Sequence, residues 1–412
     1  LAIYDHLGYR KILPGTSNVN FASQKTDSPL KDTFKSGFEY SDCWVDDSRL
    51  VILNAVDAAS KGASLRNYTK VTNATSSNGL WTISTKNSLN GKVEIVKAKA
   101  FVNASGPWVD EVLKESFKVK DSKNVRLVRG SHIVVNKLYE GDKSYICQNK
   151  DGRIFFIIPY EDNFTLIGTT DIDHGKSADQ VKISEQEKLY ICESASSYLK
   201  QEITPNDIVW SYSGVRPLYD DGASKAQEAT RDYVVSAKEY DYSLMINIFG
   251  GKITTYRRLS ETIIEHIENF LGKRGKPWTE HSRLPGGEIK VATLSEFEAK
   301  LKNKYSFFTN KLIRRLARSY GEISFDIFGD ADSLDALGEN FGGGLYEAEV
   351  QYLINNEWAR SSDDILFRRS KLGLILSETE IENLNLFLKK YNTKSQSSEN
   401  IVPSENKEVL KA

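Results

Sequence analysis

Two glycines and a lysine stand where an apolar strand pattern changes to an amphipathic helix pattern. Gly250, Gly251 and Lys252 follow the apolar run of residues 243–249, and helical spacing begins after them. The start of a helix offers free N–H groups and a positive dipole end, and glycine lets a ligand approach the backbone. The turn could therefore stabilise the negative charge of a reduced flavin. A strand-to-helix turn that needs glycine only for its geometry explains the spacing equally well, and the GxxxxGK spacing of a Walker A loop is absent.

Arginine and histidine side chains are further candidates for binding and proton transfer. Arg216 and Arg231 lie 15 residues apart in strand-rich sequence, and two guanidinium groups can clamp a phosphate or a carboxylate. Surface ion pairs are the more common role for two arginines in a chain with 55 lysines and arginines. His132 is one of five histidines and could act as a general base, although a lone histidine in a strand is more often structural.

A third candidate is a run of small residues at the end of a predicted strand. Ala104, Ser105 and Gly106 come soon after the β-rich run of residues 92–102. Small side chains would let a cofactor pass close to the backbone. Taken alone, an ordinary turn explains these residues better.

Composition limits the classes of protein to which the chain can belong. Its 412 residues, 40% of them hydrophobic, predict two or three domains at about 150 residues each. With 55 basic and 56 acidic residues the net charge is −1, which argues against a dedicated nucleic-acid binder. Three cysteines without CxxC spacing argue against a disulfide scaffold or a zinc site and favour a reducing compartment. No apolar run reaches 18 residues, so no transmembrane helix is predicted.

The elements that must position these residues follow one another in a clear order. A helical apolar pattern over residues 50–59, which acidic residues precede and Lys61-Gly62 stops, leads into β-rich runs up to residue 102, and residues 130–170 have the short strands of an antiparallel meander. A capping box at residues 184–187 opens another helix. More strands, the Gly-Gly-Lys turn and a largely helical segment follow. This order predicts an α/β nucleotide-binding domain, an inserted β-sheet domain and a C-terminal helical domain.

Taken together, the motifs resemble those of the FAD-dependent glycerol-3-phosphate dehydrogenases, the quinone-linked respiratory enzymes. The resemblance runs over about residues 1–391, with the matching segments in the family's order. These segments are residues 37–50, 102–108, 129–135, 167–171, 212–218, 230–232, 249–256, 284–287, 347–358 and 368–373.

The resemblance implies the fold class α/β plus α+β. It comprises a Rossmann-like FAD-binding domain, incomplete here, an inserted antiparallel β-sheet substrate domain and a C-terminal helical domain. The implied ranges are a substrate-domain segment (1–36), part of the FAD-binding domain (37–108), the β-sheet substrate domain (109–245), the closing helix of the FAD-binding domain (246–275), the helical domain (284–391) and a mobile tail (392–412).

One departure from the family concerns the pyrophosphate of FAD. The family begins with a strand, a GxGxxG turn and a helix that bind it, and this sequence has no such turn. We therefore expect the chain to be part of a longer gene product, and expect these 412 residues alone to hold FAD weakly or not at all. Flavin absorbance of the purified chain tests this expectation.

The resemblance also implies a role for each candidate residue. Arg216 and Arg231 would hold the substrate phosphate, Lys252 would lie between substrate and flavin, and His132 would be the base. The residues that would contact FAD are Val71, Ala104, Ser105, Gly106, Gly251, Lys252 and Thr254. No metal is implied.

The implied reaction converts sn-glycerol 3-phosphate to dihydroxyacetone phosphate by hydride transfer to FAD. Electrons would pass to a membrane quinone, which requires peripheral docking on the cytoplasmic face of the inner membrane; a homodimer is left open. Residues 300–318 hold seven cations and no acid, which could touch anionic lipid, although a solvated helix face is the more common explanation.

Three alternatives stay open at this point. A glycerol-3-phosphate oxidase would share every motif and use oxygen, so peroxide formation would identify it. A flavin amine or hydroxy-acid oxidase would lack the preference for phosphate. A truncated fragment without FAD or activity would show no flavin absorbance.

Overall fold

The computed structural model describes residues 13–21, 28–220 and 232–399, with side chains as far as Tyr391. The chain divides into two compact units. The first contains Leu1–Trp44 and Tyr68–Glu280, and the second contains Val45–Asn67 and His281–Ala412. Arg231 and residues 400–412 of the predicted tail lie outside the described residues, as do residues 1–12 and 22–27 of the predicted first segment.

Strands dominate the first unit. They are β1 (Ser17–Asn20), β2 (Ser36–Glu39), β3 (Thr69–Ser77), β4 (Leu80–Asn87), β5 (Val93–Ala98), β6 (Ala100–Asn103), β7 (Val125–Asn136), β8 (Tyr145–Gln148), β9 (Ile154–Tyr160), β10 (Phe164–Gly168), β11 (Ile172–Asp173), β12 (Ile208–Tyr219), β13 (Val234–Tyr240) and β14 (Ser243–Phe249).

Helices make up most of the second unit. In chain order the helices of both units are α1 (Asp47–Ser60), α2 (Val109–Glu115), α3 (Glu185–Tyr198), α4 (Tyr256–Leu271), α5 (Leu294–Lys304), α6 (Asn310–Tyr320), α7 (Ile323–Phe328), α8 (Glu347–Asn356), α9 (Ser362–Leu366) and α10 (Glu378–Glu399). Among the described residues, none of the helices combines the length and the apolar character that a membrane span requires.

The largest sheet is antiparallel and centres on β7. Strand β12 pairs with one edge of β7, while β10 and β11 pair with the other, and β9 and β8 continue beyond β10. The predicted meander is therefore correct for β8, β9 and β10 but not for β7, which pairs with β10 rather than with β8. One face of this sheet packs on α3 through Ile133, Ile157 and Ile191, all at most 2% exposed. The opposite face of this sheet is not covered by α3.

A smaller sheet contains the one parallel pairing among the described strands. Strand β14 lies between β13, which is antiparallel to it, and β6, which is parallel to it. Every residue of β14 except Ile248 is buried. Helix α4 covers the sheet through Ile263, whereas Ile264 is 52% exposed because one step of 100° carries it off the buried side.

Helix α1 packs in the second unit. Arg49, 3% exposed, donates hydrogen bonds from its two terminal nitrogens to the buried carboxylate of Glu357, at 2.6 and 2.9 Å. Its Nε donates to the Ser319 carbonyl at 3.0 Å. By packing, residues 45–67 thus belong with the C-terminal helices, because this buried charge pair holds them there. The functional assignment of residues 37–108 stays a prediction.

The predicted fold class is confirmed: mixed α and β elements with an inserted antiparallel sheet precede a C-terminal helical unit. The capping box at α3 is present, with Ser184 and Glu187 bonding each other's backbone N–H groups. Among the seven cations of residues 300–318, Arg315 is bound at 2.6 Å to buried Glu349 and Lys300 is bound at 2.8 Å to Glu322. That basic stretch is therefore partly neutralised within its own unit.

Candidate active site

His132 lies on the face of the large sheet that α3 does not cover. It is directly opposite Tyr212 on β12 and Gly168 on β10. Its ring stacks on the Tyr212 ring at a centroid distance of 5.0 Å and an interplanar angle of 9°. On the other side, a Cβ added to Gly168 would lie 2.4 Å from His132 Cδ2, so glycine is required there. These two strands therefore fix the plane of the imidazole.

His132 is a buried group with unused hydrogen-bonding capacity. Its Nδ1 is buried and has no hydrogen-bond partner among the residues that the structure describes. Burial, and secondarily the positive charge of Arg216, lowers the pKa of His132 from its ordinary 6.5 to about 4. The ring is therefore neutral near pH 7 and able to accept a proton. Because buried polar atoms rarely lack a partner, a ligand hydroxyl is a suitable partner for this atom.

Arg216 carries a guanidinium over the same face of the sheet. It forms an ion pair with Asp171, and its Nη1 would be 3.3 Å from a Cβ added to Gly130. The side chain remains 42% exposed. One carboxylate contact leaves other N–H groups of the guanidinium for a second anion. Asp171 was not predicted as a site residue, because sequence does not show which acid an arginine will meet.

Glu187 binds several residues on the opposite face of the sheet from His132. The carboxylate is 3% exposed and accepts hydrogen bonds from Ser131 Oγ at 2.7 Å and Thr170 Oγ1 at 3.0 Å. It also forms a salt bridge with Arg129 at 2.8 Å. Burial by itself raises the pKa of Glu187, but these bonds and those from Ser184 outweigh it and lower the pKa. Glu187 thus fixes the residues next to His132 and Asp171.

The parallel strands β6 and β14 bring two of the predicted cofactor segments to one edge. Asn103 pairs with Asn247, and Asn103 Nδ2 donates to Asn247 Oδ1 at 3.1 Å. Carboxyl ends of neighbouring parallel strands leave the sheet side by side, which is where α/β sheets bind ligands. The segment of residues 104–106 and the Gly-Gly-Lys turn, residues 250–252, both begin at this edge.

The glycine turn also lies close to the residues that follow Arg216 and Arg231 in the chain. A Cβ added to Gly250 would lie 2.9 Å from the carbonyl oxygen of Asp232 and 3.6 Å from that of Pro217. Asp232 follows Arg231 in the chain, and Pro217 follows Arg216. The structure therefore brings Pro217, Asp232 and Gly250, which are distant in sequence, close together.

The residues at this edge have the features that a large flat cofactor requires. Gly250 and Gly251 have φ values of +73° and +107°, which favour glycine, and neither residue has a side chain that would keep a ligand away from the backbone. Ala104 is exposed, and Ser105 Oγ donates to Asn103 Oδ1 at 2.5 Å. Together with the unpartnered Nδ1 of His132, these features fit a bound FAD.

The remaining predicted residues have different positions. Lys252 and Thr254 are exposed at the start of the short 3-10 turn Ile253–Thr255, so α4 begins at Tyr256 rather than directly at the glycines. Val71, on β3 of a separate sheet, packs in the same apolar cluster as Phe249, the last residue before the turn. The position of Arg231 lies outside the described residues. The roles of all these residues remain predictions.

Acid is expected to destabilise the fold through His132. Because its pKa falls from 6.5 to about 4 on folding, the folded state binds fewer protons than the unfolded state between these values. Stability from neutral His132 is therefore complete above about pH 6.5 and is lost as the pH falls toward 4. Urea unfolding at pH 7 and pH 5 should show a smaller loss of stability in His132→Asn than in the unmodified chain.

The matched control for this test is His174→Asn, because His174 Nε2 lies at the surface, 3.1 Å from the Ser177 carbonyl. His174→Asn should lose as much stability between pH 7 and pH 5 as the unmodified chain does. Equal losses in His132→Asn and in the unmodified chain would contradict the burial argument.

Two family models match the chain. The model described as FAD dependent oxidoreductase matches residues 18–257, more than half of the chain. The model described as the C-terminal domain of alpha-glycerophosphate oxidase matches residues 277–386.

Three characterised relatives are more than 40% identical to the chain. The D-erythritol 1-phosphate dehydrogenase of Brucella abortus is 43% identical, over 92% of this chain and 76% of its own length. The glycerol-3-phosphate dehydrogenase of Pseudomonas aeruginosa is 42% identical, over 94% and 75%. The aerobic glycerol-3-phosphate dehydrogenase of Escherichia coli is 41% identical, over 95% and 77%.

A solved structure has a similar fold. It is the glycerol-3-phosphate dehydrogenase from Bacillus halodurans complexed with FAD, with a TM-score of 0.66 and 24% identity. The match covers 89% of this chain and 76% of that one.

Proposed function

This chain belongs to the family of FAD-dependent oxidoreductases, and from that premise we propose that it oxidises sn-glycerol 3-phosphate to dihydroxyacetone phosphate. The observation that carries the proposal is the close approach of Gly250 to Pro217 and Asp232. Pro217 and Asp232 directly follow Arg216 and Arg231, whose guanidinium groups suit a phosphate dianion.

The two arginines bind the substrate phosphate in this proposal. Arg216 is supported by its exposed guanidinium, which already binds one carboxylate, that of Asp171. A phosphate can share or displace that contact, because a dianion accepts more hydrogen bonds than a single carboxylate oxygen. Arg231 is supported by the position of Asp232, its neighbour in the chain, against Gly250.

His132 takes the hydroxyl proton, and Lys252 stabilises the charge that develops at the reacting centre. His132 is suited to the role because it is neutral near pH 7 and its Nδ1 has no partner among the described residues. When bound, FAD supplies the acceptor for the hydride that leaves the carbinol carbon. Lys252 is exposed immediately after the two glycines, where it can face a ligand at this edge.

The residues that would hold FAD are grouped by what they offer. Gly251 and Thr254 would contact FAD through the backbone of the glycine turn, and Val71 would do so through the backbone of β3. After β6, small residues would let FAD pass close to the chain: Ala104, Ser105 and Gly106. In this arrangement Lys252 contacts both the cofactor and the substrate.

A second substrate is favoured by a specific observation. The relative of Brucella abortus, at 43% identity, is named for D-erythritol 1-phosphate, and its identity exceeds that of the glycerol-3-phosphate enzymes by only one or two percentage points. Both substrates carry a phosphate and a secondary hydroxyl, so the same residues suit both. The deciding experiment compares kcat/KM of the FAD-loaded enzyme for the two compounds with a dye as electron acceptor. Oxidation of neither compound would overturn the proposal.

The proposed electron acceptor is a membrane quinone, with the protein docked peripherally on the cytoplasmic face of the membrane. The relative from Escherichia coli, named an aerobic dehydrogenase, supports this choice, whereas the C-terminal family model is named for an oxidase. Oxygen uptake and peroxide formation without quinone would favour the oxidase. Sedimentation with anionic vesicles tests the docking, and failure to sediment would contradict it.

Replacement of Arg231 should weaken substrate binding more than it changes turnover. Losing a charge-assisted contact costs about 1.5–3 kcal/mol, so Arg231→Ala should raise KM roughly 10- to 150-fold. Inhibition by inorganic phosphate should weaken in parallel. The control is Arg153→Ala, which removes a surface pair with Asp151 in the same unit. Unchanged KM and unchanged phosphate inhibition in Arg231→Ala would place this arginine outside the site.

A further inference from the structure

Gly214 is a position without a side chain in the middle of the site face. It lies on β12 between Tyr212 and Arg216, directly opposite Gly130 on β7. A Cβ added to Gly214 would meet no atom of the described residues within 4 Å, and its φ lies outside the left-handed region. Neither the backbone nor the surrounding described protein therefore requires glycine at this position.

The neighbouring glycines differ from Gly214 in this respect. A Cβ on Gly130 would be 2.6 Å from Thr169 Oγ1, and one on Gly168 would be 2.4 Å from His132 Cδ2. Packing within the protein explains these two glycines. Glycine inside a strand weakens it and commonly marks a site where a ligand approaches closely. At Gly214, the space is therefore available to a ligand.

The groups on either side of Gly214 indicate what lies over it. Arg216 offers a cation two residues away, and Tyr212, stacked on His132, lies two residues away in the other direction. Alternate residues of a strand are about 6.6 Å apart, so the two ends are separated by roughly 13 Å at the backbone. If the side chains at the two ends lean toward Gly214, a small phosphorylated molecule can fill the distance between them. Its phosphate would then lie at Arg216 and its hydroxyl at His132.

We propose that Gly214 is a specificity-determining residue, and that the space above it receives the carbon chain of the polyol phosphate and limits its length. The inference rests on the proposed function and extends it to a substrate class of three- and four-carbon polyol phosphates. A side chain at residue 214 would project into the space between phosphate and hydroxyl. A four-carbon chain needs more of that space than a three-carbon chain does.

The test uses Gly214→Ala and Gly214→Val in the FAD-loaded full chain, with Gly275→Ala as the matched control. Gly275 also has no described atom within 4 Å of an added Cβ and no left-handed φ. We expect kcat/KM of Gly214→Ala to fall at least tenfold more for a four-carbon polyol 1-phosphate than for glycerol 3-phosphate, and Gly214→Val to lose both activities. The rise in Tm on adding each compound should shrink in the same order.

Three results would overturn the inference. Equal effects of Gly214→Ala on both substrates would exclude a role in chain length, and unchanged kinetics would show that the space is not used. A loss of flavin or of Tm in Gly214→Ala, but not in Gly275→Ala, would mean that the fold or the cofactor requires this glycine. An unmodified enzyme that oxidises neither compound would instead be a failure of the proposed function, from which this inference would also fall.

Discussion

Lys252→Ala is expected to lower kcat about 10²- to 10³-fold while leaving the flavin content nearly unchanged. Removing a preorganised donor aimed at developing charge costs about 2.7–4 kcal/mol in the transition state. Lys252 suits this role because it is exposed and follows two glycines of positive φ. Its contribution to the turn comes from the backbone, because its carbonyl accepts a hydrogen bond from the N–H group of Thr255 at 3.1 Å. The side chain can therefore change without loss of the turn.

The measurement is kcat at saturating acceptor, divided by the flavin occupancy of the same sample. Lys252→Arg should not restore full activity, because a planar guanidinium does not replace a compact ammonium at a narrow turn. Lys276→Ala, at an exposed lysine beyond α4, is the matched control and should behave like the unmodified enzyme. If flavin is lost while turnover per bound flavin stays normal, Lys252 anchors the cofactor and the catalytic assignment is wrong.

Arg49→Ala should destabilise the helical unit by about 3–5 kcal/mol, because it leaves the buried charge of Glu357 without its partner. Glu357 is 0% exposed and binds both terminal nitrogens of Arg49. Burial by itself lowers the pKa of Arg49, but the hydrogen bonds to Glu357 together with the surrounding negative charge outweigh it and raise the pKa, so Arg49 stays charged. Urea unfolding of the full chain, followed by far-UV circular dichroism, measures the loss.

Two variants make this result specific to the buried pair. Asp330→Ala breaks an exposed pair with Lys304 in the same unit and should leave the unfolding curve unchanged. The double variant Arg49→Met with Glu357→Leu should recover much of the lost stability, since apolar side chains of similar volume can replace a buried ion pair. A loss in Arg49→Ala no larger than in Asp330→Ala would contradict the expected contribution.

Local patterns were sufficient for most elements and for the family. The apolar run of β14, the two glycines after it and the capping box at Ser184 are each set by short-range sterics and hydrogen bonds. The resemblance of the motifs to FAD-dependent glycerol-3-phosphate dehydrogenases is confirmed by the family models and by relatives at 41–42% identity. The sequence by itself thus determined the fold class, the cofactor and the candidate residues.

Only the tertiary structure decided which of these residues meet. Glu187 was predicted as a capping residue, but its carboxylate also binds Ser131 and Thr170 under the site. Asp171 pairs with Arg216 across 45 residues, and Arg49 pairs with Glu357 across 308. With 55 cations and 56 acids in the chain, local sequence does not select such partners. They are selected by which strands pair and which helices pack, because a buried charge is stable only where the whole fold supplies its partner.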